Sequence, residues 1–248
     1  MLLIVAPLIV VVLSAFFSMA GLGAAFLFVP LFYWMGVPLR EAMATALLLN
    51  TISLAFASIV FIQGGLVRFR TAIPILVTAV ILSPLGVWCS QYVSRDVLLW
   101  MFSGFLTFSG AMMLFYRPAS RPEGQEDGPK ETVIGAGIGG LAGFLGGLLG
   151  VGGGGFIVPV LTWLGHPPKI VAGTTAIVVV FSSATGFLGH VSLGGLDARF
   201  LAVTGTAAVI GALAGSWLAR FKLSGAQLKR IIGVLLWGIA LKIVWGLL

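Results

Sequence analysis

The sequence predicts an all-α polytopic membrane protein built from two inverted five-segment repeats, and three observations predict it. The chain is too apolar for water, its apolar runs are helix-sized, and its halves match at a fixed offset. Of its 248 residues, 59% are hydrophobic and only 8% are charged, and the mean hydropathy is +1.15. A soluble domain of this size needs more polar surface than that to cover itself.

Ten apolar segments follow one another: Leu2 to Ala20, Ala24 to Gly36, Ala42 to Gln63, Thr71 to Gln91, Val97 to Tyr116, Thr132 to Gly150, Phe156 to Gly165, Val171 to Val191, Phe200 to Arg220 and Leu228 to Leu248. The first lacks a basic leading region and resembles the later ones, so it is expected to belong to the mature fold rather than to be a cleaved signal. A bilayer core of about 30 Å needs roughly 20 helical residues. Eight segments reach that length; the second and seventh fall short, which gives 8–10 membrane segments. The polar stretch Arg117 to Glu131 (RPASRPEGQEDGPKE) mixes Pro, Gly and both signs of charge. It reads as a linker, residues 117–131, between a first repeat (1–116) and a second (132–248).

The repeat is visible where PLFYWMGVPLR (Pro30 to Arg40) lines up with PVLTWLGHPPK (Pro159 to Lys169), an offset of 129 residues. The same offset pairs Gly21 with Gly150, Gly23 with Gly152, Thr45 with Thr174, Ser53 with Ser182, Trp88 with Trp217 and Gly104 with Gly233. Lys and Arg in short loops mark the cytoplasmic side. Placing the loops after segments three, five, seven and nine inside collects most of the basic residues and leaves only Arg40, Arg95 and Arg199 outside. Equivalent loops of the two halves then lie on opposite faces, so the halves are expected to be inverted, with both termini outside and the linker cytoplasmic.

Each half opens on a glycine-containing break with almost no polar side chain: SMAGLGAAF (Ser18 to Phe26) and GGLLGVGGGGF (Gly146 to Phe156). Breaks this apolar suit buried protein better than water, so each pair of segments is expected to form a re-entrant or broken helical hairpin. Backbone N–H groups of successive glycines can turn toward one point, where the following helix also presents its positive end. That arrangement binds anions. Two such ends meeting near the midplane is the plan of inverted-repeat transporters with discontinuous helices. The candidate substrate-binding residues are therefore Gly21, Gly23, Gly150, Gly152, Gly153, Gly154 and Gly155, joined by the neutral donors Thr45, Asn50, Thr51, Thr174, Thr175 and Ser182 from segments three and eight. The second break, having glycine at 153, 154 and 155 where the first has Ala24, Ala25 and Phe26, is expected to carry more of the site. Gly139, Gly143 and Gly147, at four-residue spacing, read as helix packing.

The same inventory excludes other classes. All seven acidic residues fall at segment ends or in loops, so an intramembrane carboxylate for cation coupling is not expected. No nucleophile with an accompanying base lies within the spans, so no catalytic residue and no enzyme activity is expected. The lone cysteine, Cys89, excludes a thiolate cluster, and no metal or cofactor is expected. The net charge of +7 sits in short loops as a topology signal, so nucleic acid is not an expected partner. The expected partners are a small anionic substrate and the lipid bilayer, with a homo-oligomer left open.

Taken together, GLGAAFLFVPLFYWMGVP (Gly21 to Pro38) with ATALLLNT (Ala44 to Thr51), and GVGGGGFIVPVLTWLGHPP (Gly150 to Pro168) with AGTTA (Ala172 to Ala176), resemble the sulfite exporter TauE/SafE family across essentially the whole chain. That resemblance implies an inner-membrane, multi-pass permease exporting sulfite, an organosulfonate or a related sulfur oxyanion. An anion channel and a non-transporting membrane scaffold stand as the alternative readings.

Overall fold

The computed structural model describes residues 2–115, 128–191, 198–221 and 225–247, and every regular element among them is a helix. In chain order these are α1 (Leu2–Met19), α2 (Ala25–Trp34), α3 (Leu39–Gln63), α4 (Phe69–Ser90), α5 (Arg95–Phe115), α6 (Pro129–Leu149), α7 (Gly154–Trp163), α8 (Pro168–Val191), α9 (Ala198–Phe221) and α10 (Gly225–Leu247). Each coincides with one of the ten apolar segments to within a turn of helix. Most of the expected linker, residues 117–127, lies outside the described residues.

Six helices, α3, α4, α5, α6, α8 and α9, are long and apolar enough to cross a membrane. The other two expected spans, α1 and α10, are helices of 18 and 23 residues. Helices α2 and α7 have 10 residues each, about 15 Å at 1.5 Å per residue, and cannot cross a core of about 30 Å. Both stop in the same way. Gly36 and Gly165 adopt φ of 92° and 84°, and the N–H groups of Val37 and His166 reach back to the carbonyls of Phe32 and Leu161 at 3.0 and 3.1 Å. This left-handed glycine cap, with Pro38 or Pro167 just beyond it, closes a helix that cannot continue.

The helices pair across the halves more than within them: α1 lies on α9, α4 on α6, α3 on α8, α5 on α10, α4 on α8 and α3 on α9. Exchanging each first-half helix for its second-half counterpart leaves this set unchanged. Two of the counterpart pairs, α3 with α8 and α5 with α10, run antiparallel. Along α3 and α8, Phe61 lies by Gly173, Asn50 by Ser183 and Leu47 by Gly186; along α5 and α10, Thr107 meets Trp237 and Gly110 meets Gly233.

Small residues hold these seams together. A Cβ on Gly139, Gly143 or Gly147 of α6 would strike the carbonyls of Ile75, Ala79 or Ser83 of α4, and one on Gly86 of α4 would strike the carbonyl of Phe144. The α1–α9 seam repeats that last contact with Gly215 against the carbonyl of Ala15, each residue 129 positions from its counterpart. The opposite face of α4 carries Ile73, Val77, Ile81 and Leu85, all exposed. Large apolar residues outside and small ones inside is what packing in lipid requires, because hydrocarbon gives apolar side chains no reason to leave it.

Candidate functional site

Between α1 and α2, and again between α6 and α7, the chain turns inside the protein. Gly21 and Gly23 both have φ of 67°, and their counterparts Gly150 and Gly152 have φ of 71° and 73°, a left-handed conformation that glycine adopts at little cost. The residues from Gly21 through Pro30, and from Gly146 through Gly155, are buried. Each turn is wedged between the halves. A Cβ on Gly21 would run into the carbonyl of Ala172 at the start of α8, and one on Gly150 would sit 2.5 Å from Cβ of Met43 at the start of α3, residues that are themselves counterparts.

The two turns then converge on the middle of α3. A Cβ on Gly23 would collide with Oδ1 of Asn50, while one on Gly152 would lie 2.8 Å from Nδ2 of the same side chain and would collide with the Ser183 hydroxyl. The Asn50 carboxamide thus stands between both turns, and its Nδ2 donates to Ser183 Oγ at 3.0 Å. The turns also touch each other, because a Cβ on Gly154 would stand 2.5 Å from the carbonyl of Leu22. Ser182 Oγ donates to the carbonyl of Gly152 at 2.9 Å and pins the second turn to α8.

Seven backbone N–H groups, those of Gly23, Ala24, Ala25, Phe26, Gly153, Gly154 and Gly155, have no acceptor among the described residues, and all are buried. Every helix leaves its first amides unpaired, but water usually satisfies them. Here the residues are buried, and each buried donor left unpaired costs about 1–3 kcal/mol. The hydroxyls of Thr175, Ser18 and Ser14 are buried and without a partner as well. The unpaired amides, at the positive ends of α2 and α7, form a field that favours negative charge. A narrow apolar crevice bounded by Leu22, Phe26, Phe105, Ser109, Met113, Gly155 and Leu236 runs alongside the two helix starts.

The residues expected at the site divide accordingly. Gly21, Gly23, Asn50, Gly150, Gly152, Gly153, Gly154 and Ser182 come together, and Thr175 is buried with its hydroxyl unspent. Gly154 and Gly155 belong to the first turn of α7 rather than to the loop, and they lack side chains because Leu22 and the Phe105 ring stand against them. Thr51 is only partly buried and bonds back to the carbonyl of Leu47 at 2.8 Å; Thr174 accepts the N–H of Arg68 at 3.1 Å and so holds the start of α4. Thr45 is buried in α3. Two residues outside the expected set are at the turns: Ser183 bonds to Asn50, and the carbonyl of Ser18, in the last turn of α1, accepts the N–H of Gly21 at 3.1 Å. Ser18 was readable from its place in SMAGLG, whereas a contact between residues 50 and 183 leaves no local trace.

Among curated proteins, the chain is 46% identical over 54 residues to sulfite exporter TauE/SafE family protein 5 of Arabidopsis thaliana, covering 22% of this chain and 12% of that one. It is 40% identical over 75 residues to family protein 1 of the same plant, covering 29% and 17%. It is 38% identical over 65 residues to "Probable membrane transporter protein YunE" of Bacillus subtilis (strain 168), covering 26% and 24%. The matched stretches therefore span a quarter or less of each of these relatives. No solved structure matches the chain significantly. The family model described as "Sulfite exporter TauE/SafE" matches residues 6–243, nearly the whole sequence, and the chain belongs to that family.

Proposed function

We propose that the protein is a permease that exports a small anion, a sulfur oxyanion such as sulfite or an organosulfonate, by alternating exposure of a site between the two glycine turns. The observation that carries this reading is the meeting of two buried glycine turns at one side chain, Asn50, each turn leading into a helix start whose first amides are unpaired. Lipid rejects a bare anion; a cradle of preoriented donors replaces the water it sheds. In this reading the halves, 1–116 and 132–248, are inverted across the inner membrane and joined by a cytoplasmic linker, with both termini outside. The antiparallel course of counterpart helices supports that orientation. Rocking of one hairpin set against the other would then open the cradle to either side in turn. With the cell interior negative, each negative charge leaving gains about 2.3 kcal/mol per 100 mV, so export needs no coupling ion.

Gly154→Leu tests the cradle directly, since its side chain would occupy the contact with Leu22. In proteoliposomes this variant is expected to lose sulfite efflux while keeping its membrane yield and its elution as a folded protein in detergent. Normal efflux would remove the glycine turns from the mechanism. Unitary currents far above carrier turnover would make the protein a channel instead, and no thermal stabilisation by any of a panel of oxyanions and sulfonates would favour a scaffold. A true ligand at 100 times its Kd adds about 2.7 kcal/mol.

A further inference from the structure

Resting on the permease reading above, we infer that the site selects an anion bearing one acidic O–H, the singly protonated state of a diprotic oxyacid, and that Asn50 is the residue that selects it. The amides of both helix starts are unpaired donors, and the unpaired hydroxyl of Ser18 lies beside the first turn. Among the side chains that border both turns, the Asn50 carboxamide offers an acceptor. It is fully buried, its Nδ2 is committed to Ser183, and its Oδ1, lodged against Gly23, has no donor. A fully deprotonated oxyanion would set its own lone pairs against that oxygen, whereas a protonated one supplies the missing hydrogen and leaves its remaining oxygens to the amides.

The match is one acceptor to one hydrogen. An ammonium group would bring three donors and a positive charge, and the described carboxylates, Glu41, Asp96 and Glu131, lie in the first turns of their helices, Glu41 nine residues before Asn50 on α3. The position equivalent to Asn50 in the second half is Val179, which also borders Gly152. The acceptor therefore belongs to one half only, and the anion binds in one orientation with its O–H toward α3. No bond is made or broken; the proton stays on the anion and one negative charge leaves per turnover.

Efflux from proteoliposomes of the wild-type chain is measured for sulfite across the pH range of its second ionisation, and for methanesulfonate, a monoanion of similar shape with no O–H. The rate for sulfite is expected to follow the singly protonated fraction and, where that species dominates, to exceed the rate for methanesulfonate at least tenfold, because a site built to bond a hydroxyl rejects the analogue without one. Asn50→Val, which copies the second half, is expected to bring the two substrates within twofold. Equal rates in the wild type, a rate that follows the dianion, or an undiminished preference in Asn50→Val would overturn the inference. The wild-type comparison decides even where the variant does not fold. Transport of both anions without preference leaves the permease reading intact, whereas transport of neither removes the site and this inference together.

Discussion

At Gly23 a methyl group would meet two separate costs. The backbone is left-handed, with φ of 67°, which a residue with a Cβ occupies at a penalty of about 1–2 kcal/mol, and the added carbon would also overlap the Asn50 carboxamide. Gly36 shares the left-handed backbone, at φ of 92°, but nothing lies within 4 Å of its would-be Cβ. Gly23→Ala is therefore expected to lower thermal stability in detergent by at least about 1 kcal/mol more than Gly36→Ala, for which only the dihedral term applies. Equal shifts would mean that Asn50 does not press on the turn. Much of this was readable beforehand: the glycines at 21, 23, 150 and 152 stood out because they recur at one offset where apolar helices break. The placement of Asn50 between both turns was not, since it depends on the path of three helices rather than on any neighbour in sequence.

Along a whole helix, the same residue type has opposite consequences on different faces. Gly86 of α4 lies against the backbone of α6, and a Cβ there would strike the carbonyl of Phe144; Gly104 of α5 has nothing within 4 Å. Gly86→Ala should separate α4 from α6 and destabilise by about 1–3 kcal/mol, in the range of overpacked interfaces. Gly104→Ala should be neutral to within about 0.5 kcal/mol, as exposed substitutions are. Paired melting curves of the two variants check this, and a destabilised Gly104→Ala with an unaffected Gly86→Ala would reverse the assignment of buried and open faces. The extents of the helices were legible because long apolar runs end at Gly, Pro and charge. Their partners were not, because helices apolar on all sides carry no stripe to mark the inner face. Only the spacing of small residues, as in Gly139, Gly143 and Gly147, hinted at where a neighbour comes close.

For the molecule as a whole, the proposed orientation can be read out by chemistry from one side. In a Cys89→Ala background, Ser94→Cys in the loop between α4 and α5 is expected to react with a membrane-impermeant maleimide on intact cells, whereas Gln125→Cys in the linker should react only after permeabilisation. Reaction of both from outside would defeat the proposed orientation. Efflux of the anion should also accelerate when the vesicle interior is made negative, by up to about 2.3 kcal/mol of driving force per charge and 100 mV; indifference to the potential would point to an exchange that moves no net charge. The duplication and the uneven distribution of basic residues among the loops were legible in the sequence, but not the way the halves interlock. Helix α1 rests on α9, and α4 rests on α6, so α1 and α4 find their seats only after α9 and α6 have been made. A nascent first half must wait in the bilayer with its glycine seams open, unprotected against degradation. Each half expressed alone should therefore be cleared by the cell, and the two expressed together as separate chains should rescue one another.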